Sequence, residues 1–153
     1  MSIDYRLTLA GSAPLEEVAE LAGSDFVERG TLTGRRMLSA DLFESCGYVV
    51  DITAGSDGYY DAEGDGGSLW VWEPERYVDI DFHMRKDALA EMGTPNMLMA
   101  VARILAGSAE DAALVLNGNW LLLSRVGGIL RKHNVADWYD EEYDKILGPV
   151  SPV

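Results

Sequence analysis

One run of residues in the sequence has the types and spacing for chemistry, Asp79-Ile-Asp-Phe-His83. In a strand, its two carboxylates and its imidazole project from one face, with neighbouring side chains roughly 6.5 to 7 Å apart. These groups are metal ligands and general acids or bases. The run raises the hypothesis of a metal-dependent hydrolase or small-ligand-binding protein using Asp79, Asp81 and His83. We favour the alternative, a solvated strand face, because no second histidine-bearing motif completes a ligand set.

A second acidic segment resembles the start of a calcium-binding loop. Asp61, Glu63 and Asp65 occupy positions 1, 3 and 5, and Gly66 occupies position 6. Position 12 is Trp72, where such a loop requires a bidentate glutamate, so the segment predicts a polar hairpin turn instead. The sequence contains no phosphate-binding glycine loop, nucleophile elbow or zinc-protease motif. We therefore predict no catalytic residue, no metal ligand and no cofactor.

The single cysteine and the hydropathy pattern bear on where the protein works. Cys46 is the only cysteine, which excludes an internal disulfide and a cysteine-rich zinc site and fits a reducing compartment. No apolar run reaches the roughly 18 residues of a membrane span. The start of the chain, MSIDYRLTL, has no export signal. We expect a soluble, cytoplasmic protein.

The charge balance limits the kinds of partner. The net charge is −14, from 26 acidic and 12 basic residues. Such a chain repels phosphate backbones and anionic lipids, so we predict neither nucleic acid nor membrane as a partner. The charge indicates either simple solubility or a partner with a basic surface, since opposite fields speed association.

Hydrophobic periodicity predicts the elements that position these residues. Strands are predicted in the first half of the chain at 3–9, 38–42, 48–53, 59–62, 68–72 and 77–84. A short helix is predicted from Leu15 to Ala22, and a loop at 24–36. In the second half, Thr94-Pro95 opens an apolar helix that Gly107 ends. Asn117-Gly118 then predicts a tight hairpin turn and Gly127-Gly128 a second. Asp137 is predicted to cap a last helix.

This order of elements predicts an α+β fold. Strands joined by short turns pair antiparallel, so we expect a mainly antiparallel sheet of about six or seven strands with helices packed chiefly on one face. The length of 153 residues fits one domain, assigned to 1–148, with a short tail at 149–153.

Five segments resemble the swarming-inhibition type of immunity protein from bacterial polymorphic toxin systems: DYRLTLAG at 4–11, ADLF at 40–43, GYVVDITAG at 47–55, WVWEPERYV at 70–78 and AALVLNGNW at 112–120. The resemblance runs to about His133. It implies a cytoplasmic, non-enzymatic protein, encoded beside a toxin, that binds the toxin and protects the cell and its kin. The family offers no catalytic residue to transfer.

The partner surface expected on this reading combines carboxylates with aromatic side chains on the polar face of the sheet and its hairpin rims. The predicted contact residues are Asp51, Asp57, Tyr59, Tyr60, Asp61, Asp65, Trp72, Asp79 and Asp81. The expected partner is a cognate protein toxin with a basic surface. A homo-oligomer stays open, although the sequence shows no sustained heptads.

Overall fold

Eleven strands and five α-helices make up the described part of the chain, which in this computed structural model is residues 2–31, 33–88, 92–148 and 151–152. Their order is β1 (Ser2–Ala10), α1 (Leu15–Ala22), β2 (Val27–Arg29), β3 (Met37–Leu42), α2 (Phe43–Cys46), β4 (Tyr48–Ser56), β5 (Tyr60–Glu63), β6 (Leu69–Trp72), β7 (Arg76–Arg85), α3 (Thr94–Ala106), β8 (Ala112–Leu116), β9 (Trp120–Val126), β10 (Ile129–Lys132), α4 (Val135–Trp138), α5 (Asp144–Leu147) and β11 (Ser151–Pro152).

The strands form one sheet in the order β11-β10-β9-β8-β1-β7-β4-β3-β2. Its pairs are antiparallel apart from β10 with β11 and a single bridge between β5 and β9. The α+β, mainly antiparallel prediction is confirmed. The predicted count of six or seven strands is too low. One reason is β2, which lies in the predicted loop at 24–36 and whose three exposed residues offer no alternation to detect.

One face of the sheet carries the main hydrophobic core and the helices. Alternate residues of β1 and β7, among them Leu7, Ile80 and Phe82, are almost fully buried there against α1 and α3. α3 begins at Thr94 and ends before Gly107, as predicted, and its apolar side chains also contact α5. The prediction that helices pack chiefly on one face is confirmed.

The hairpin of β5 and β6 folds over part of the opposite face. Its inward residues Trp70 and Trp72 pack on a second, smaller cluster formed by Ala62, Ala113, Val115 and Leu121. β5 also meets β9, where Glu63 pairs with Trp120. The two tryptophans share one strand face and contribute mainly to packing.

The hairpin turns follow the glycine signals, whereas the C-terminal helices do not follow the predicted cap. Asn117 and Gly118 have φ angles of 51° and 73°, the left-handed values that a type I′ turn requires. Asp137 lies inside α4 and caps nothing. Asp140 instead accepts a hydrogen bond from the Glu142 amide and begins a short 3₁₀ turn at Glu141–Tyr143. Of the predicted tail, residues 151–152 pair with β10, and 149, 150 and 153 lie outside the described residues.

Candidate functional site

The face of β3, β4, β7 and β1 that points away from the helices is called the open face here. Strand register aligns its polar side chains in rows across the sheet. Ser39 lies opposite Asp51, Asp51 opposite Asp81, and Asp81 opposite Arg6. Since directly opposed side chains lie within interaction distance, these rows bring together residues that are far apart in the sequence.

The carboxylates of the open face are largely paired within the chain. Arg6 Nε donates to Asp81 Oδ1 at 2.9 Å. His83 lies between two carboxylates, with Nδ1 2.8 Å from Asp4 Oδ1 and Nε2 3.0 Å from Asp51 Oδ2. Ser39 Oγ donates to Asp51. Much of the negative charge predicted for this face is therefore neutralised locally.

The position of His83 between two acceptors favours its charged form. An ionised carboxylate can only accept hydrogen bonds, so both ring nitrogens must donate, which requires the imidazolium. The hydrogen bond to Asp51 is the main cause that raises the pKa of His83 to about 9, with Asp4 adding to it against partial burial. The same contact lowers the pKa of Asp51. His83, Asp4 and Asp51 together form an ionic clamp joining β7, β1 and β4.

We expect this clamp to make stability depend on pH. Because the folded pKa of His83, about 9, exceeds the unfolded value of about 6.5, its contribution is fully present below pH 6.5 and is lost as pH rises through 9. The difference in free energy of unfolding between the parent and His83→Gln should therefore shrink over that range. Urea unfolding of both proteins from pH 6 to pH 9.5 measures it, and a difference that stays constant would contradict the clamp.

Asp79 is the buried carboxylate of the open face. Asp79 is 9% exposed. Its Oδ1 accepts a hydrogen bond from Thr8 Oγ1, and Tyr60 Oη lies 3.1 Å from Oδ1 and 3.0 Å from Oδ2 as a donor to the carboxylate. Burial raises the pKa of Asp79 despite these hydrogen bonds. The contact joins the β5–β6 hairpin to the centre of the sheet.

The three residues of the Asp-x-Asp-x-His run therefore engage different partners. They share a strand face, as predicted, but Asp79 bonds to Thr8 and Tyr60, Asp81 to Arg6, and His83 to Asp4 and Asp51. No group of three or more His, Cys, Asp or Glu side chains within the described ranges is placed to hold a metal ion. This geometry does not favour the metal-dependent alternative.

The segment from 57 to 75, which contains the β5–β6 hairpin, concentrates negative charge. It holds six acidic residues and no lysine, arginine or histidine. Strand alternation divides its side chains: Tyr60, Trp70 and Trp72 face the sheet, while the outer side carries Tyr59, Asp61, Glu63, Leu69 and Val71. Tyr59, Leu69 and Val71 are 62%, 77% and 44% exposed. We call these five outward residues the outer hairpin face.

Asp65 anchors this hairpin to the β10–α4 connection. Its Oδ1 accepts from the Asn134 amide at 2.9 Å, and its Oδ2 lies 3.3 Å from His133 Nδ1. His133 Nε2 in turn lies 2.7 Å from Ser124 Oγ. The Asn134 side-chain amide donates to the Glu63 and Leu121 carbonyls. These contacts hold the hairpin in one position.

The row Ser124–His133–Asp65 has the order of a serine-hydrolase triad, in which an exposed hydroxyl attacks a substrate carbonyl. Here Ser124 and His133 are 7% and 9% exposed, so a substrate would have to displace the packing to reach Oγ. Burial lowers the pKa of His133, although the hydrogen bond to Asp65 opposes this shift. We assign this row to anchoring.

The predicted contact residues fall into three structural groups. Asp57, Tyr59 and Asp61 are exposed on the hairpin; Tyr60, Asp65 and Trp72 hold it in place; Asp51, Asp79 and Asp81 belong to the hydrogen-bonded open face. The predicted set of contact residues does not include Glu63, Leu69 and Val71. A usable signal existed, because a strand that buries Trp70 and Trp72 must turn Leu69 and Val71 outward.

Comparison with known proteins adds one match. The family model described as SitI3-like matches residues 3–142. No curated protein and no solved structure gives a match. In the described ranges, no helix has the length and apolar character that crossing a membrane requires.

Proposed function

Since the chain belongs to the SitI3-like family of immunity-type proteins, we propose that it binds and neutralises a cognate bacterial toxin without catalysing a reaction itself. The family match confirms the resemblance carried by segments 4–11 through 112–120. Neutralisation, the toxin's identity and the contact surface are the parts that we propose. We further propose action in the cytoplasm, which fits the free thiol of Cys46, with neither nucleic acid nor membrane as a partner.

The observation that carries this proposal is the composition of the outer hairpin face. Tyr59, Val71 and Leu69 form an exposed apolar stripe, and Asp61 and Glu63 lie opposite Val71 and Leu69 on the paired strand. Contiguous exposed apolar patches with a polar rim mark protein-interaction sites. Aromatic anchors surrounded by charge are the usual energetic centres of such surfaces.

Charge favours a basic toxin surface as the partner. The segment 57–75 has six carboxylates and no basic side chain, and the whole chain carries −14. Opposite fields accelerate encounter, and like-charged surfaces are rejected. The hairpin would therefore meet a basic region of the toxin first.

The mechanism that we propose is steric and electrostatic blocking by a preformed surface. Asp65 fixes one end of the hairpin, and the Tyr60–Asp79 contact fixes the other. A surface that is already ordered loses little conformational entropy on binding. A standard interface buries about 800 Å² on each partner, so the open face beside the hairpin would complete it, including Asp51 and Asp81.

The proposal is tested with the protein encoded beside this one, the expected toxin. Co-expression should restore growth to cells that the neighbouring product alone inhibits, and the two purified proteins should bind.

We predict that replacing Asp61 and Glu63 together by lysine lowers the association rate constant about tenfold or more at low ionic strength. Stopped-flow or surface-plasmon kinetics at several salt concentrations measures it.

A matched double variant separates the surface from the net charge. Glu17 and Glu20 are exposed on α1, on the helix side of the sheet, and replacing both by lysine changes the net charge by the same amount. Association should slow much less in this variant. Equal slowing in both would mean that only the overall field matters, and unchanged binding in both would remove the hairpin from the interface.

A further inference from the structure

A cleft on the helix side of the sheet differs from the acidic remainder of the surface. It lies where α3, the β9–β10 turn and α5 meet, and its volume is about 500 Å³. Two cationic residues, Arg125 and Lys145, line it, and none of its described lining residues is acidic. The chain as a whole has 26 acidic and 12 basic residues, so this cleft offers an anion an uncommon, locally favourable environment.

Arg125 has a hydrogen-bonding capacity that the described chain does not use. The residue is 8% exposed. Its Nε donates to the Glu110 carbonyl at 2.9 Å and its Nη1 to the Leu105 carbonyl at 2.6 Å. Its Nη2 is buried with no hydrogen-bond partner among the described residues. Since a buried donor without an acceptor costs folding free energy, a ligand acceptor that Nη2 reached by a small shift of the guanidinium would be favourable.

The nearby carboxylates do not supply that acceptor. Asp111 and Glu110 lie close enough to raise the pKa of Arg125, but burial dominates and lowers it. Asp111 accepts from the Gly127 amide instead. The guanidinium therefore has charged neighbours, and its Nη2 still lacks a direct partner among the described residues.

Apart from Gly128 and Gly148, the other residues that line the cleft have hydrocarbon side chains. They are Ala102, Leu105 and Ala106 of α3, Leu130 of β10, and Ile146 and Leu147 of α5. The volume lies in the range of about 300–1,000 Å³ that holds small ligands. A strongly hydrated anion such as phosphate would gain nothing from these walls and would lose its water. A carboxylate with a hydrocarbon body matches both parts of the lining.

We propose that this cleft binds a small carboxylate with a short hydrocarbon body, its carboxylate against Arg125 and Lys145 and its hydrocarbon against α3 and α5. Such a group can come from a free carboxylic acid or from the C-terminal residue of a peptide. The site lies on the opposite side of the sheet from the outer hairpin face. It goes beyond the proposed function and does not depend on it.

The site is tested by titrating the full chain with sodium hexanoate and, separately, with N-acetylleucine. Calorimetry and the NMR signals of the α3 amides detect the binding. Hexanoate represents the free acid and N-acetylleucine the peptide terminus, and saturable binding of either supports the proposal and identifies the source. Hexylammonium is the matched probe with the opposite charge. Binding of hexylammonium as tightly as hexanoate, binding of inorganic phosphate in preference to both carboxylates, or no saturable binding would overturn the proposal.

Variants locate the binding. Ala106→Phe fills the cleft and leaves Arg125 in place, so it should weaken carboxylate binding at least about tenfold. Ala136→Phe, at an exposed position of α4, is the matched control and should bind like the parent. Arg125→Met should also weaken binding, but it removes the hydrogen bonds to Leu105 and Glu110 as well, so Ala106→Phe is decisive. Unchanged affinity in Ala106→Phe would show that the ligand lies elsewhere.

Discussion

Replacing Phe82 by alanine is expected to lower the free energy of unfolding by about 3–5 kcal/mol. Phe82 is fully buried on β7, which pairs with both β1 and β4. Its ring packs edge to face on Tyr48, with centroids 5.1 Å apart. The truncation leaves a cavity in a core that cannot collapse around it, because sheet hydrogen bonds hold the strands on both sides. Urea unfolding followed by circular dichroism measures the change.

An exposed truncation provides the comparison for this core variant. Val71→Ala removes hydrocarbon from a side chain that is 44% exposed on the outer hairpin face, and its effect on stability should stay within about 0.5 kcal/mol. A typical domain is stable by about 5–15 kcal/mol, so the Phe82 variant should be partly unfolded in cells and protect poorly. Equal unfolding midpoints for the two variants would show that β7 is not central to the core.

Regular periodicity made most of the sheet and α3 predictable. β7 alternates Val78, Ile80, Phe82 and Met84 with polar residues because one face meets the core. Thr94-Pro95 and Gly107 carry the start and stop chemistry of α3. β2 carries no such pattern, since all three of its residues are exposed at the sheet edge. At the C-terminus, the predicted cap Asp137 and the observed cap Asp140 have the same side-chain chemistry, so residue type does not distinguish them.

The residues of the candidate site were partly predictable, but their pairing was not. Strand alternation correctly places Asp79, Asp81 and His83 on one face. Their partners Thr8, Arg6 and Asp4 lie more than 70 positions away in the sequence. Only the register of β1 with β7 brings them together, and a slip of one residue would turn all of them to the other face. Register is a property of the folded sheet.

This pairing separates two kinds of acidic residue. Those of the open face mostly hold strands together, as Asp51 does through His83 and Ser39. Those of the outer hairpin face, Asp61 and Glu63, make no salt bridge among the described residues. A carboxylate already paired within the chain has less to gain from a partner's cation than an unpaired one. The outer hairpin face is therefore the better candidate for contact with a toxin.

The largest expected effect on binding comes from Tyr59. Its side chain is 62% exposed directly before β5, at one end of the apolar stripe that continues through Val71 and Leu69. A tyrosine buried at the centre of an interface contributes a large contact area and loses little conformational entropy. Tyr59→Ala should therefore weaken toxin binding by about 2 kcal/mol or more, which is about thirtyfold in Kd. Calorimetric titration of the variant with the toxin measures it.

The weaker toxin binding expected for Tyr59→Ala must come from the interface, because this exposed side chain contributes little to folding. The unfolding midpoint of Tyr59→Ala should match that of the parent, as expected for an exposed side chain. Met99→Ala is the control, since Met99 is 40% exposed on α3, on the helix side of the sheet, and its truncation should leave the Kd unchanged. In Tyr59→Ala the dissociation rate should rise more than the association rate falls, because an aromatic anchor contributes after the two proteins have met. Lysine at positions 61 and 63 should instead act mainly on the association rate, because charge acts before contact. If Tyr59→Ala bound with the parent's Kd, the toxin would have to contact the chain outside the outer hairpin face.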